Sequence, residues 1–139
     1  MRILARSHQL PTRLAAGAFL LNSGLTKRAA DRQTAEGLHG MAAGTYPFLA
    51  DQDPEQFTRR LSIAEVALGT ALLVPVVPSL VAGAGLTAFA GGLVGLYLKT
   101  PGMRQEGSLR PTQQGITVAK DVWLLAIGLG LVMEELTKD

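Results

Sequence analysis

The sequence predicts an all-α chain, an integral membrane four-helix bundle in a single domain over residues 1–139, with an interfacial cap between its first two helices. Three observations predict it. Residues 66–98 are 33 consecutive positions without a charged side chain, well beyond the ~20 that a bilayer-spanning helix needs. That stretch would measure ~50 Å as one helix against a hydrocarbon core of ~30 Å, and "LLVPVVPSL" supplies a break. Pro75 and Pro78 each remove a backbone donor and disfavour helical geometry in the residue before them. Finally, 47% of residues are apolar and only 17% charged, with a mean hydropathy of +0.25, on the greasy side of a soluble protein.

The first helix spans about residues 11–26. Pro11 is acceptable in a first turn because its missing N–H would have no intrahelical partner. Basic residues before this apolar run also fit a cleavable signal peptide, but Pro11 and Arg13 open the run and Asn22 follows where a small-residue cleavage pattern is expected. The retained helix is the reading adopted. Residues 27–60 are too long for an ordinary helix connection; "TAEGLHGMAAGTYPFLA" places Leu38, Met41, Tyr46, Phe48 and Leu49 among small residues, which suits an interfacial cap, and a partly ordered loop is the alternative. The second helix covers about residues 61–77 and the third about 79–98, forming a tight hairpin. "KTPGMRQEGSLRPTQQ" has the Pro, Gly and charge of an exposed connection, and the fourth helix takes residues 115–133.

Lipid tails are as apolar as leucine, so helices associate in a bilayer through close packing of small residues and interhelical hydrogen bonds. Gly83, Thr87, Gly91 and Gly95 recur every fourth position and lay a smooth strip along the third helix, and Gly69 and Gly128 allow close approach on the second and fourth. The fourth helix carries Lys120 and Asp121 inside an apolar run. In an antiparallel arrangement Asn22, Glu65 and Lys120 each lie five residues from the loop-side end of their helix, ~7 to 8 Å deep, so polar groups from three helices share one level. Charged residues at membrane depth generally face the interior and pair. The expected buried cluster is Asn22, Glu65, Lys120 and Asp121, with Lys120 the foremost partner for Glu65. Lys27 and Arg13 are further counter-charges, Arg13 lying near the opposite end of its helix. The cluster can fix helix register as a static ion pair, or one carboxyl can carry a proton.

Several chemistries have no support. There is no cysteine, hence no disulfide or thiolate chemistry. Thirteen basic and eleven acidic residues are interspersed, which gives no continuous patch for nucleic acid. His8 and His39 lie outside the predicted spans, so no bis-histidine haem site exists within them, and neither a spaced metal-ligand set nor a phosphate-binding glycine loop is present. Trp123 is read as a ring packed in the bundle.

"RLAAGAFLLNSGLTK" in the first helix, "AEVALGTALL" opening the second, a glycine-rich third and "AKDVWLLAIGLGL" in the fourth together resemble the DoxX-like family of small bacterial membrane proteins. The resemblance covers nearly the whole chain. It implies a multi-pass bundle in the cell membrane that serves, in some members, as a subunit of a thiosulfate- or quinone-linked oxidoreductase and, in others, as a scaffold in a membrane redox complex. By position, Arg13, Glu65, Lys120 and Asp121 match the family's polar positions. The expectation is an accessory or scaffold subunit, not catalytic on its own, with the lipid bilayer and other membrane subunits as partners, no metal and no required cofactor. The alternative is a quinone-interacting or proton-coupled oxidoreductase component using Glu65, Lys120 and Asp121.

Overall fold

The computed structural model describes residues 5–100, 103–112 and 115–137. Among these residues there is no strand, only an isolated bridge between Arg104 and Pro111, so the all-α class holds. After a 3-10 turn at Ser7–Gln9 come α1 (Leu10–Arg28), α2 (Arg32–Thr45), α3 (Pro54–Leu73), α4 (Ser79–Lys99), a single turn α5 (Ile116–Ala119) and α6 (Asp121–Thr137). A second 3-10 turn, Pro47–Leu49, separates α2 from α3.

The expected 27–60 connection is therefore mostly helix. Asp31 caps α2 by accepting from the Thr34 N–H at 2.8 Å, a bond that also holds its carboxyl below the usual range. Asp53 caps α3 by accepting from the Glu55 and Gln56 N–H groups, both at 3.1 Å. With Pro54 next, "DPEQ" is a strong helix start, and α3 begins seven residues before the expected residue 61. It also stops early, at Leu73, because Val74 precedes Pro75 and turns extended (φ −88°, ψ 114°). α4 restarts after Pro78. The expected fourth helix is divided at Lys120. Pro101, Gly102, Gln113 and Gln114 of the connection before it lie outside the described residues.

The four long helices pack as two antiparallel pairs, α1 with α3 and α4 with α6, and the α3–α4 hairpin joins them. Small residues set the approach in both pairs. A Cβ on Gly69 would stand 2.8 Å from the Gly17 carbonyl, and one on Gly24 2.9 Å from the Val66 nitrogen. In the other pair a Cβ on Gly83 would lie 3.1 Å from the Gly128 carbonyl, and one on Gly128 2.8 Å from the Thr87 nitrogen. The expected strip on α4 divides beyond Thr87. Gly91 faces open space, and Gly95 accommodates the Tyr46 ring, whose hydroxyl donates to the Gly92 carbonyl at 2.7 Å. Tyr46, at the end of α2, takes up the strip where a spanning helix was expected to lie.

A modest apolar core, including Ala16, Leu20, Leu72, Leu86, Ala90 and Leu124, runs through the centre. By length and composition α4, 21 residues with a mean hydropathy of 1.7, is the one helix among the described residues able to cross a membrane. Trp123 is 65% exposed: it points outward from the first turn of α6, and the expected packing inside the bundle is corrected.

Candidate functional site

Buried polar residues gather at both ends of the helix pairs. Near the chain termini, the break forced by Pro75 creates the problem that Arg13 resolves. In a continuing helix the Ala71 carbonyl would accept from residue 75, but a proline has no N–H to give. Arg13, fully buried on α1, fills the gap. Its Nη2 donates to the carbonyls of Ala71 (2.7 Å) and Val74 (3.0 Å), its Nε to Leu72 (2.9 Å), and its Nη1 to Val77 and to the Ser79 hydroxyl (both 2.9 Å). All five guanidinium donors are used, and the negative end of the α3 dipole faces the cation. Arg13 lies, as its sequence position implied, away from Glu65.

This end is also closed by the segment before α1. The Ser79 hydroxyl donates to Gln9 Oε1 at 2.8 Å, and the Arg6 N–H donates to the same oxygen at 2.9 Å. Gln9 Nε2 and the His8 ring both meet the Glu134 carboxylate on α6. The His8 contact is the main reason that the Glu134 carboxyl titrates below its ordinary range, with Gln9 adding to it. Arg6 stands 3.7 Å from Glu134 and 3.9 Å from Glu135. The Ala5 N–H donates to the Pro75 carbonyl at 2.8 Å, tying the segment to the break itself.

At the opposite end the arrangement is looser. Glu65 is buried on α3 and its carboxylate is held by Lys27 Nζ, at 3.1 and 3.2 Å from its two oxygens. Lys27 also donates to Ser23 Oγ one turn back, at 2.7 Å. Beside the pair, the Ser62 hydroxyl donates to the Gly24 carbonyl at 2.7 Å. Asp121, half-buried at the start of α6, lies within electrostatic reach of both Lys27 and Glu65. Two members of the expected cluster are elsewhere. Lys120 is exposed and makes no ion pair among the described residues, so Glu65 takes Lys27 as its partner. Asn22 is exposed too. The buried stripe of α1 is Arg13, Ala16, Gly17, Leu20 and Gly24, and at 100° per residue Asn22, two positions from Leu20, points the other way.

A cleft of about 650 Å³ opens beside this end, between the C-terminal turn of α1, the start of α2 and the first half of α3. Its wall includes Lys27, Arg28, Glu55, Thr58, Arg59 and Ile63. Glu55 is bound to Arg32 at 2.6 Å, whereas Arg28 and Arg59 have no ion pair among the described residues. The Thr58 hydroxyl is buried and has no hydrogen-bond partner among the described residues. Among the described residues no three His, Cys, Asp or Glu side chains are grouped as metal ligands would be.

Sequence reasoning passed over Arg13 as a capping group, the Gln9–Glu134 latch and Thr58. Only the first left a signal, a proline-broken helix end facing a lone arginine. No family model matches the chain, nor does any curated protein or solved structure.

Proposed function

We propose that the chain is a small multi-pass integral membrane protein acting as an accessory or scaffold subunit of a larger membrane complex, in the manner of the DoxX-like proteins its sequence resembles. One observation carries the membrane part of the reading, polar side chains buried between helices whose outer faces carry large apolar ones. Arg13, Gln9, Thr58, Ser62, Glu65 and Ser79 are buried, while Leu14, Phe19, Ile63, Val81, Trp123 and Met133 are exposed on the four long helices. In water, leaving side chains of this size exposed forgoes the gain of burying them. In a bilayer the outward apolar faces meet lipid and the polar groups satisfy one another inside. The 17 residues of α6 reach ~25 Å, at the short end of a spanning length. The subunit role is supported by what the polar groups already do: Arg13 and Glu65 are both held by neighbours within the bundle, which is the signature of fixing a fold.

A second reading, a quinone-interacting or proton-coupled component, draws on the Asp121 carboxyl beside the Lys27–Glu65 pair. Two carboxyls lie within electrostatic reach of one ammonium there. A bound quinone would supply the electron chemistry, and the chain would give or take the proton at Asp121 or Glu65. The fit is partial: Lys27 and Thr58 offer donors, but among the described residues no aromatic ring lines the cleft. Purification of the full chain from its host membranes in mild detergent tests both readings. Stoichiometric larger subunits support the scaffold, and an isolated bundle carrying quinone supports the second. Recovery as a water-soluble monomer without detergent rules out both.

A further inference from the structure

We propose that the cleft between α1, α2 and α3 binds an anionic phospholipid, its phosphate at the arginine end and its acyl chain along α3. This occupant rests on the membrane reading above. Three independent features converge on it. The α3 wall is one helical stripe; beyond Glu55, which Arg32 binds, it runs through Thr58, Arg59, Ser62, Ile63, Val66 and Ala67, passing from cationic and hydroxylic to apolar over ten residues, ~13 Å of helix rise. That is the order of a lipid, head then chain. The charge also matches. With Lys27 bound to Glu65 and Arg32 to Glu55, two guanidiniums, Arg28 on α1 and Arg59 on α3, remain to face an anion from both sides of the mouth. Arginine's fork suits phosphate oxygens.

Third, Thr58 is 3% exposed and its hydroxyl has no hydrogen-bond partner among the described residues. A buried hydroxyl without a hydrogen bond is destabilising, so a valine of nearly the same shape would serve the fold better than threonine. A ligand oxygen at the cleft wall gives the hydroxyl its bond. Ile63, 61% exposed next to it, is covered by the chain of the same ligand.

The test is calorimetric titration of the full-length protein in mild detergent with dihexanoyl phosphatidylglycerol, dihexanoyl phosphatidylcholine and inorganic phosphate. The phosphatidylglycerol is expected to bind about tenfold or more tighter than either of the others. Arg28→Gln and Arg59→Gln, both exposed and dispensable to the fold, are each expected to weaken it about tenfold, the loss of one charge-assisted hydrogen bond. Thr58→Val separates ligand from fold: it should raise the thermal midpoint without lipid and lower the affinity for phosphatidylglycerol. Equal binding of the two lipids, binding of phosphate as tight as that of phosphatidylglycerol, or arginine variants that bind like the parent would each overturn the proposal. A chain that proves soluble without detergent would sink the membrane reading, and the same short-chain titration in buffer would still decide on the cleft.

Discussion

The two ends of the helix pairs meet the same problem, a charge taken out of water, in different ways. At the terminal end Arg13 pairs with no carboxylate among the described residues; five hydrogen bonds and a helix C-terminus neutralise it, and Gln9, Ser79 and Glu134 close the layer around it. At the loop end Glu65 relies on one flexible lysine whose side chain is 22% exposed, next to an open cleft. A saturated guanidinium cannot leave without exposing several carbonyls, whereas an ammonium on four methylenes can retreat to the interface. One end is built to stay shut. The other keeps a cation, a carboxylate and an opening together, which is what a binding surface requires.

The sharpest way to break this comparison is to remove the charge at each end. Arg13→Met strands the Ala71 and Leu72 carbonyls and should cost about 3–5 kcal/mol of unfolding free energy in detergent. Glu65→Gln frees Lys27 to reach water and should cost about 1–2 kcal/mol. Chemical denaturation of both variants measures the difference, and equal losses would mean that the loop end is as rigid as the other. The glycines sharpen the packing side. Gly69→Ala drives a Cβ against the Leu21 nitrogen and the Gly17 carbonyl, an overpacking worth about 1–3 kcal/mol, while Gly91→Ala enters open space and should stabilise α4 by up to ~1 kcal/mol. Thermal melts of the two should move in opposite directions.

The smallest effect concerns the latch on Glu134. In the folded state its carboxyl titrates below the ordinary glutamate range, so the contact stabilises the protein fully above that range and is lost as the pH falls through the lower folded-state value. The thermal midpoint of the parent should therefore drop more than that of Glu134→Gln when the pH is taken from 6 to ~3. A parallel decline in the two would show that the latch contributes nothing to closing the terminal end.

Much of the architecture was legible in the chain. The proline pair at 75 and 78 marks the α3–α4 turn, and Gly69, Gly83 and Gly128 stand at the contacts between paired helices. Local chemistry suffices for these, because a missing N–H or a missing Cβ acts wherever it sits. The start of α3 was also written locally, in Asp53 and Pro54, but hydropathy alone looks past a polar helix start. The rest needed helix phase and neighbours. Asn22 and Lys120 are both exposed, because counting residues from a helix end says nothing of direction, which depends on the stripe of each helix that packs. Lys27 takes Glu65 because α1 packs directly on α3, whereas α6 packs chiefly on α4.

By itself, then, the order of residues determined the helical class, the hairpin and the small-residue contacts, all of them consequences of backbone chemistry within a few positions. Tertiary structure decided which cation reaches which carboxylate, that Arg13 caps a helix from which it is separated by more than fifty residues (59 to Leu72), and that a cleft remains beside Glu65. Those depend on rotation about each helix axis, and a rotation of one residue, 100°, turns a buried side chain toward the outside.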